Sequence, residues 1–375
     1  SDGTNIDTLI KTNYIDIIVP ASTESEVPEF EWVQTWGGSD NDVGKQVLLD
    51  TDGNVYIISH FRETADFDPG VGVSNLTSVG MYDYSISKFD KSGNFIWVRS
   101  FGSSANDYYS SDIDSLGNVY TAGFFNGTFD TDPGSGVYNL TSSGENDIFI
   151  HKIDSSGSFL WSKRIGGILN DGIQRLQLDA SGNILVSGYF NGTVDFDPGF
   201  GTNYLTANGS NSKFISKFDS SGNLIWALDK GTQYDFLNNS DAQGNIYFSG
   251  IFENTFDFDP GPGVYNLTSN GSQNMFISKF DNNGNIVWAK SFDGTGNQMG
   301  RLVVDSEGNI YATGRLWGTT DLDPDTSVYT LSSNGEGDVF ILKMNASGSL
   351  IWAKNMGGYN GDYSYSIALD ADENI

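Results

Sequence analysis

The chain of 375 residues contains no cysteine, which excludes disulfide bonds and thiolate chemistry. It has only two histidines, and 19 Lys and Arg residues stand against 48 Asp and Glu residues, for a formal net charge of −29. Nucleic acids and anionic membranes are both bound through Lys and Arg contacts with phosphate, so this balance excludes nucleic acid as a partner. No apolar run approaches the roughly 18 residues of a membrane-spanning helix, and we expect no direct membrane insertion.

Hydrophobic residues make up 38% of the chain and aromatic residues 14%, which favours a packed core over disorder despite the large charge. Most of the acids are Asp, which hydrogen-bonds the backbone in turns and ligates hard cations, rather than the helix former Glu. Glycine is frequent, with 46 residues. The composition therefore indicates a folded, turn-rich chain.

The chain repeats itself at a nearly constant step, and this repeat predicts the fold. Six tryptophans mark it, with 62 to 65 residues between successive ones. They are Trp32, Trp97, Trp161, Trp226, Trp288 and Trp352. The turn Asp-x-x-Gly-Asn follows the same step and starts at Asp50, Asp114, Asp179, Asp241 and Asp305, with an altered copy at Asp370. In that last copy Glu373 replaces the glycine.

The third copy shows the content of one unit. RLQLD and NILVSGYF flank the turn DASGN, and KFISKFD and NLIWALD flank the turn DSSGN. Both pairs alternate apolar and polar residues and are rich in β-branched and aromatic types, which is the pattern of a β-hairpin. We call the four strands A, B, C and D. Four antiparallel strands per unit, repeated end to end, predict an all-β fold, the β-propeller, in which each unit is a blade.

Other repeat architectures fit less well. A β-solenoid would need a much shorter period, and tandem immunoglobulin-like domains would need about 100 residues each. Helical repeats are excluded because glycine is abundant and no 3.6-residue apolar periodicity is visible.

The phase of the repeats predicts a split blade. A lone D-type segment, FEWVQTW (30–36), precedes the first full unit, and a sixth unit begins after the fifth with YSIALDADENI (365–375). A leading D strand is what a ring of blades needs to complete its last blade. We therefore expect the propeller to span 30–375 and to be incomplete at the C-terminus, and we expect the natural protein to have six or seven blades.

The repeated pattern D-x-x-G-N-[VI]-Y … D-F-D-P-G … K-F-D-x-S-G-N-x-x-W resembles the SBBP-type propeller repeats of long secreted or surface proteins in bacteria, notably the Bacteroidetes. Residues 1–20 resemble the closing strands of a PKD domain, and 21–29 then read as a linker. The matching positions are Asp7, Thr8, Lys11, Asn13, Tyr14 and Ile15. The resemblance implies export, commonly by type IX secretion, and work as an adhesin, matrix component or display scaffold.

A short acidic segment, Asp-x-Asp-Pro-Gly, stands in the connection between strands B and C of each unit, and we call it the acidic corner. Its paired aspartates are Asp66 and Asp68, Asp130 and Asp132, Asp195 and Asp197, Asp257 and Asp259, and Asp321 and Asp323; in the fifth copy Asp325 replaces the glycine. Two such carboxylates on one side of an extended segment suit Ca²⁺, which prefers oxygen ligands. The same pattern is typical of a β-turn in which Asp accepts backbone N–H groups. A calcium site and a plain bend both stay open.

Two further features belong to the same connections. The segments around Pro-Gly, GTVDF and TNYLTA in the third unit, predict a small extra hairpin. The connections between strand D and the next strand A are also acidic and reach the same face of the blades. They carry Asp42, Asp107, Asp171 and Asp362. For the Asp-x-x-Gly-Asn turns, by contrast, ordinary hairpin chemistry accounts for the residues.

Catalysis would need residues that break the repeat, because five equal copies of a nucleophile make little sense. His60 and His151 are such residues, but each replaces a strand residue and reads as a strand substitution rather than a general base. The tryptophans of strand D read as packing between blades. Arg315 and Trp317 break the repeat together at the start of a long connection, and they are the candidate ligand-contact pair.

The sequence thus predicts a non-catalytic extracellular scaffold or adhesion module, with calcium as a candidate cofactor. The predicted partner is a protein or polysaccharide at the cell surface. A carbohydrate-binding or carbohydrate-active propeller is the alternative from another class. A third hypothesis makes the protein a cargo or partner of a secretion or gliding machinery.

Overall fold

The structure is a computed structural model that describes residues 32–102, 109–231, 234–271, 273–294, 298–370 and 372–375. All regular elements in these ranges are β-strands, numbered β1 to β31 in chain order, and none is a helix. The segments predicted to be PKD-like (1–20) and a linker (21–29) lie outside the described residues.

Five four-stranded antiparallel sheets in the order A–B–C–D make up the body of the chain, and we call them blades one to five. The A strands are β2 Val43–Leu49, β8 Tyr109–Ile113, β14 Gly172–Leu178, β20 Tyr234–Ser240 and β26 Gln298–Val304. The B strands are β3 Val55–Phe61, β9 Val119–Phe125, β15 Ile184–Phe190, β21 Ile246–Phe252 and β27 Ile310–Leu316. The C strands are β6 Asp83–Phe89, β12 Asp147–Ile153, β18 Ser212–Phe218, β24 Asn274–Phe280 and β30 Asp338–Met344. The D strands are β7 Phe95–Phe101, β13 Phe159–Ile165, β19 Leu224–Gly231, β25 Ile286–Phe292 and β31 Leu350–Met356. The four-stranded antiparallel blades confirm the predicted strand assignment.

A two-stranded hairpin also forms in every connection between strands B and C. The pairs are β4 Thr64–Asp66 with β5 Asn75–Thr77, β10 Thr128–Asp130 with β11 Asn139–Thr141, β16 Thr193–Asp195 with β17 Tyr204–Thr206, β22 Thr255–Asp257 with β23 Asn266–Thr268, and β28 Thr319–Asp321 with β29 Thr330–Ser332. In the first hairpin β1, Gly37–Gly38, adds a third strand beside β4. The predicted extra hairpin is confirmed, and it carries the acidic corner at its tip.

The chain divides into two compact units, 1–164 and 165–375. In the first, Tyr56 and Ile58 of blade one pack with Val119 and Phe149 of blade two. In the second, one buried cluster joins blades three and four, and another joins blades four and five. The core of each unit thus lies between the faces of adjacent blades, as the alternating strand pattern requires.

The Asp-x-x-Gly-Asn turns close by local hydrogen bonds. In blade one Gly53 N donates to Asp50 O at 3.0 Å with φ +79°, a conformation that favours glycine. Asp50 Oδ1 accepts from Asp52 N at 3.1 Å and Asn54 N at 2.9 Å, and Asp50 Oδ2 accepts from Asn54 Nδ2 at 2.8 Å. These bonds confirm the hairpin interpretation of the turn.

The strand D tryptophans join neighbouring blades. Trp97 Nε1 donates to Ser155 O, in the next blade's C–D turn, at 3.2 Å, and Lys88 Nζ donates to the same carbonyl at 3.1 Å. Trp226 and Trp288 make the equivalent indole bonds in the second unit. The prediction that the strand D tryptophans pack between blades is confirmed for Trp97, Trp226 and Trp288.

The ends of the repeat differ from the prediction. Residues 32–36 form no strand, although Trp32 Nε1 donates to Lys91 O at 3.1 Å as a D-strand tryptophan does. Residues 363–370 form no A strand either, yet the turn at Asp370 closes with Glu373 at φ +61°. A ladder needs a partner strand, which the described residues do not provide there, whereas the indole bond needs one carbonyl acceptor and the turn needs only its own residues.

Candidate functional site

The acidic corners use their carboxylates to hold their own loops. In blade three Asp195 Oδ1 accepts from Asp197 N at 3.1 Å and from Asn203 N at 2.8 Å. Asp197 Oδ1 accepts from Gly199 N at 2.8 Å. The same three bonds recur in the other four blades. The turn interpretation therefore accounts for both aspartates.

The glycine that follows the corner is required by a close approach. A methyl group on Gly201 would overlap Asp197 Oδ2, and Gly72, Gly136 and Gly263 stand in the same relation to their own corners. The second carboxylate thus accepts a backbone N–H with its Oδ1 atom, and its Oδ2 atom lies so close to the glycine Cα that no side chain fits there. This contact explains why the pattern continues as Pro-Gly-x-Gly in the first four corners.

Calcium at the corners stays a prediction. Within the described ranges, no group of three or more His, Cys, Asp or Glu side chains is placed to hold a metal ion. Each corner offers two carboxylates whose Oδ1 atoms already accept backbone N–H groups, so further oxygen ligands would have to come from carbonyls or water.

The aspartates of the D–A connections also act within their loops. Asp42, Asp171 and Asp362 accept from the backbone N–H of Gly38, Gly167 and Gly358 at 2.7, 2.8 and 2.8 Å. Burial raises the pKa of Asp42 above its usual value, while the Gly38 bond opposes this. Asp107 lies outside the described residues. These acids serve loop structure in the ranges that the structure describes.

Sequence reasoning missed a buried polar residue at the first position of every C strand. Asp83, Asp147, Ser212, Asn274 and Asp338 are all buried there. Asp147 pairs with Arg164 at 2.5 Å and accepts from Ser143 N, but burial still raises its pKa. The recurrence of a polar residue at the start of each C strand was the available signal.

The aspartate of each A–B turn also forms an ion pair with a lysine of strand C, which the sequence analysis did not identify. Lys88 Nζ lies 3.6 Å from Asp50 Oδ2 and 4.7 Å from the centroid of the Tyr56 ring. Asp50 keeps a lowered pKa despite its burial, because Asn54 and Lys88 favour its charged form. Blades two, four and five repeat the arrangement with their own Asp, Lys and Tyr. Tyr after the turn and Lys in strand C mark it in the sequence.

The two histidines occupy strand positions. His151 is fully buried, its ring lies 4.3 Å from that of Phe101, and neither ring nitrogen has a hydrogen-bond partner. Burial lowers its pKa to about 3. Burial, with a smaller effect from Lys45, lowers the pKa of the half-buried His60 to about 4. Both are strand residues that are neutral at pH 7.

The structure brings the candidate pair Arg315 and Trp317 together. The guanidinium lies 5.1 Å from the Trp317 ring centroid and 4.3 Å from that of Tyr363. One nitrogen donates to Tyr363 Oη at 3.1 Å, and another donates to Glu336 O at 2.5 Å. The Nε atom is buried and has no hydrogen-bond partner. Arg315 therefore sits between two aromatic rings that the sequence alone did not connect.

A cleft of about 230 Å³ opens beside this arginine. Its lining comes from β26, from the end of β27 and from the segment 363–365. A second cleft, of about 430 Å³, lies where blade three meets the corner of blade four. It is lined by Asp257 and Asp259 and by Lys230, which replaces the apolar residue that ends the other D strands. Both clefts lie where the repeat is broken.

Comparison with known proteins agrees with a repeat fold. No family model matches the chain. It is 24% identical to the "Uncharacterized WD repeat-containing protein L264" of Acanthamoeba polyphaga mimivirus, over 99% of this chain and 32% of that protein. It is 28% identical to the "Regulatory protein FlaEY" of Caulobacter vibrioides, over 46% of this chain and 19% of that protein. The chain thus spans a third or less of these relatives.

A solved structure of a protein of unknown function from Bacteroides caccae aligns over 92% of this chain and 90% of its own, at 10% identity and a TM-score of 0.41. The five four-stranded blades and the likeness to a WD-repeat protein establish an all-β fold of the β-propeller class. The resemblance to SBBP repeats and to a PKD domain stays a prediction.

Proposed function

We propose that this chain is a non-catalytic β-propeller scaffold of a larger secreted or cell-surface protein, where it engages a protein or a polysaccharide. The observation that carries the proposal is how the repeated acids are used. The aspartates of the corners, the A–B turns and the described D–A connections accept backbone N–H groups of their own loops. The repeated aspartates therefore stabilise the loops of the blades, and we assign binding to the positions that depart from the repeat.

The surface chemistry supports an interaction role. Trp317, which directly follows strand B of blade five, is 47% exposed and lies beside Arg315. Exposed aromatic residues beside an arginine are typical of recognition surfaces. No helix in the described part of the chain is long and apolar enough to cross a membrane. The extracellular location rests on the resemblance to secreted repeat proteins and is part of the proposal.

A carbohydrate-active enzyme is the second candidate, and the cleft beside Lys230 favours it. Glycoside hydrolysis uses two carboxyl groups across the scissile bond, and Asp257 and Asp259 line that cleft. The same two aspartates occur in every blade with the same loop bonds, which favours the scaffold. A role as cargo or partner of a secretion or gliding machinery is the third candidate, and co-purification with membrane components would support it.

The test is native affinity electrophoresis of the purified chain in gels that contain single soluble polysaccharides, together with a reducing-end assay on the same polysaccharides. We expect retardation in at least one gel and no release of reducing ends over hours. Release of reducing ends that is lost in Asp257→Asn or Asp259→Asn would overturn the scaffold in favour of the enzyme. If no gel retards the chain, the proposed partner is a protein, and cross-linking on intact cells would identify it.

A further inference from the structure

We infer that the cleft between blades three and four receives a basic side chain, arginine or lysine, of a protein partner. This inference rests on the proposed scaffold role and adds to it a place and the chemistry of the partner. The cleft holds about 430 Å³, and its lining residues all lie between 208 and 260. That volume falls within the range of ligand pockets, roughly 300–1,000 Å³.

The connection from strand D to strand A is unusually short beside this cleft. Six residues (166–171) form the connection before blade three, but only two (232–233) stand between β19 and β20. In blade three the connection lies against the hairpin of its own blade, since a methyl group on Gly167 would be 3.0 Å from Thr193 O. In blade one the connection pairs with the hairpin, as β1 with β4. Two residues are too few to cover the hairpin of blade four in the same way, and the cleft lies beside it.

The hairpin of blade four is correspondingly less buried. Phe256 is the middle residue of its first strand, β22, and it is half-buried. The residues at the same position of the other hairpins are all buried; they are Ala65, Phe129, Val194 and Thr320. Phe256 lines the cleft, so an aromatic ring is accessible there at a position that the other blades cover.

A carboxylate also changes its place in blade three. Blades one, two and five have an aspartate at the first position of strand C, where it is buried, as Asp147 is in blade two. Blade three has Ser212 at that position, and its Oγ donates to Asp229 Oδ1 of strand D at 2.7 Å. Asp229 is half-buried and lines the cleft, and the other blades have Ser, Arg, Ser and Asn at its position. The carboxylate of this blade is therefore placed where a ligand can reach it.

The lysine in the lining directs its charge toward the blade interface. Lys230 is buried, and its Nζ lies 3.2 Å from the centroid of the Phe248 ring and 5.5 Å from that of Phe280. Both rings belong to the buried cluster that joins blades three and four. The ammonium therefore interacts with these rings, and the other charged groups of the lining are three carboxylates.

Two of these carboxylates have an oxygen that a ligand can use. Asp257 Oδ1 accepts from Asp259 N at 3.0 Å and from Tyr265 N at 2.7 Å, and Asp229 Oδ1 accepts from Gly231 N at 2.9 Å. No residue of the described ranges donates to the Oδ2 atom of Asp257 or Asp229. The loop bonds hold both side chains before a ligand arrives, which lowers the entropy that binding costs.

These groups suit a cationic side chain. A guanidinium or an ammonium pairs with carboxylate oxygens and is attracted to the face of an aromatic ring such as that of Phe256. An anionic ligand would meet three carboxylates and a chain of net charge −29, which repel it. The same field attracts a basic segment of a partner and speeds its association.

The experiment uses the full chain and four capped pentapeptides that differ only in the central residue, with two glycines on either side. The central residues are arginine, lysine, glutamate and citrulline, which has the shape of arginine without its charge. Hexasaccharides of β-1,4-glucose and β-1,3-glucose are the neutral sugar probes. Binding is measured by isothermal titration calorimetry and by saturation-transfer difference NMR, at low and at high concentrations of sodium chloride.

Three variants change the cleft, and one matched control changes an equivalent loop. Asp229→Ser and Phe256→Ala introduce residues that blade one has at these positions, and Asp257→Asn keeps the Oδ1 acceptor of its loop. The control is Asp130→Asn, because Asp130 is exposed like Asp257 and makes the same loop bonds in blade two. Thermal melting followed by circular dichroism checks that each variant is folded.

We expect the arginine and lysine peptides to bind and the citrulline and glutamate peptides to bind at least about tenfold more weakly. Asp229→Ser and Asp257→Asn should each weaken the arginine peptide about tenfold, as loss of a charged hydrogen bond does. Phe256→Ala should weaken it about threefold through the lost cation–π contact. The control should bind as the wild type does, and added salt should weaken binding in every case.

Four results would overturn the inference. They are no binding of the basic peptides, equal binding of the citrulline peptide, binding that the three variants leave unchanged, and binding of a hexasaccharide that the same variants abolish. Each leaves the scaffold role standing, because a partner at another surface or a polysaccharide satisfies that role. Release of reducing ends from the hexasaccharides would instead refute the non-catalytic scaffold, and the peptide titrations do not depend on that result.

Discussion

His151→Ser removes a buried imidazole from blade two and should make the free energy of unfolding less sensitive to acid. Serine stands at the same position of strand C in blades one, three and four, as Ser87, Ser216 and Ser278, so the fold accepts it. In the native chain the imidazole is buried against Phe101, and its pKa is lowered from 6.5 to about 3. The native state therefore does not take up the proton that the unfolded chain binds below pH 6.5.

Proton linkage gives the sign and the size of the change in the free energy of unfolding. A group with a lowered basic pKa contributes its full stability above the unfolded pKa of 6.5 and loses it as pH falls toward about 3. Each unit of separation corresponds to about 1.4 kcal/mol. A pH of 5 is 1.5 units below the pKa of the unfolded side chain, whereas the native imidazole is still neutral at this pH. The unfolding free energy of the wild type therefore falls by about 2 kcal/mol between pH 8 and pH 5.

The assay is urea unfolding followed by circular dichroism at several pH values from 8 to 5. We expect the free-energy difference between His151→Ser and wild type to move in favour of the variant by about 2 kcal/mol across this range. His60 and the acids with raised pKa titrate in both proteins and cancel in the difference. Parallel stability curves would refute the reasoning, since they would mean that the buried imidazole is protonated or paired in the folded chain.

Three other predictions concern the repeated loops. Gly201→Ala should destabilise the chain by about 1–3 kcal/mol, because its methyl group overlaps Asp197 Oδ2, whereas Gly358→Ala has open space and should change thermal stability little. Asp197→Asn keeps the acceptor for Gly199 N, so the melting temperature should fall only slightly; the calcium hypothesis further predicts a rise of the wild-type melting temperature in millimolar calcium that this variant lacks. Asp50 has a lowered pKa, so its stabilising effect is present at neutral pH and is lost as pH falls below 3.8; Asp50→Asn should flatten the acid limb of a stability curve, and an unchanged limb would contradict this.

The repeat step, the blade strands, their turns and the extra hairpins could all be predicted from the sequence. Each depends on residues close together in the chain, such as Asp50 and Gly53 in one turn or Asp195 and Asn203 in one hairpin. Alternation of apolar residues and turn chemistry act locally, and five copies make the pattern unambiguous. At the two ends of the repeat, the indole bond of Trp32 and the turn at Asp370 form as predicted, but 32–36 and 363–370 form no strand, because a strand also needs a neighbour, which a local pattern does not supply.

The chemistry of the candidate sites was decided by contacts between distant segments. Arg315 meets Tyr363 across 48 positions, and Lys88 reaches the carbonyl of Ser155 across 67. The sequence identified Arg315 and Trp317 as repeat-breaking residues but contained no sign of the tyrosine that completes their cluster. By itself the sequence determined an acidic, Asp-rich chain of antiparallel four-stranded units. The tertiary structure decided which groups Lys88 and Arg315 contact, because these contacts join segments that are far apart in the sequence and lie side by side only in the folded chain.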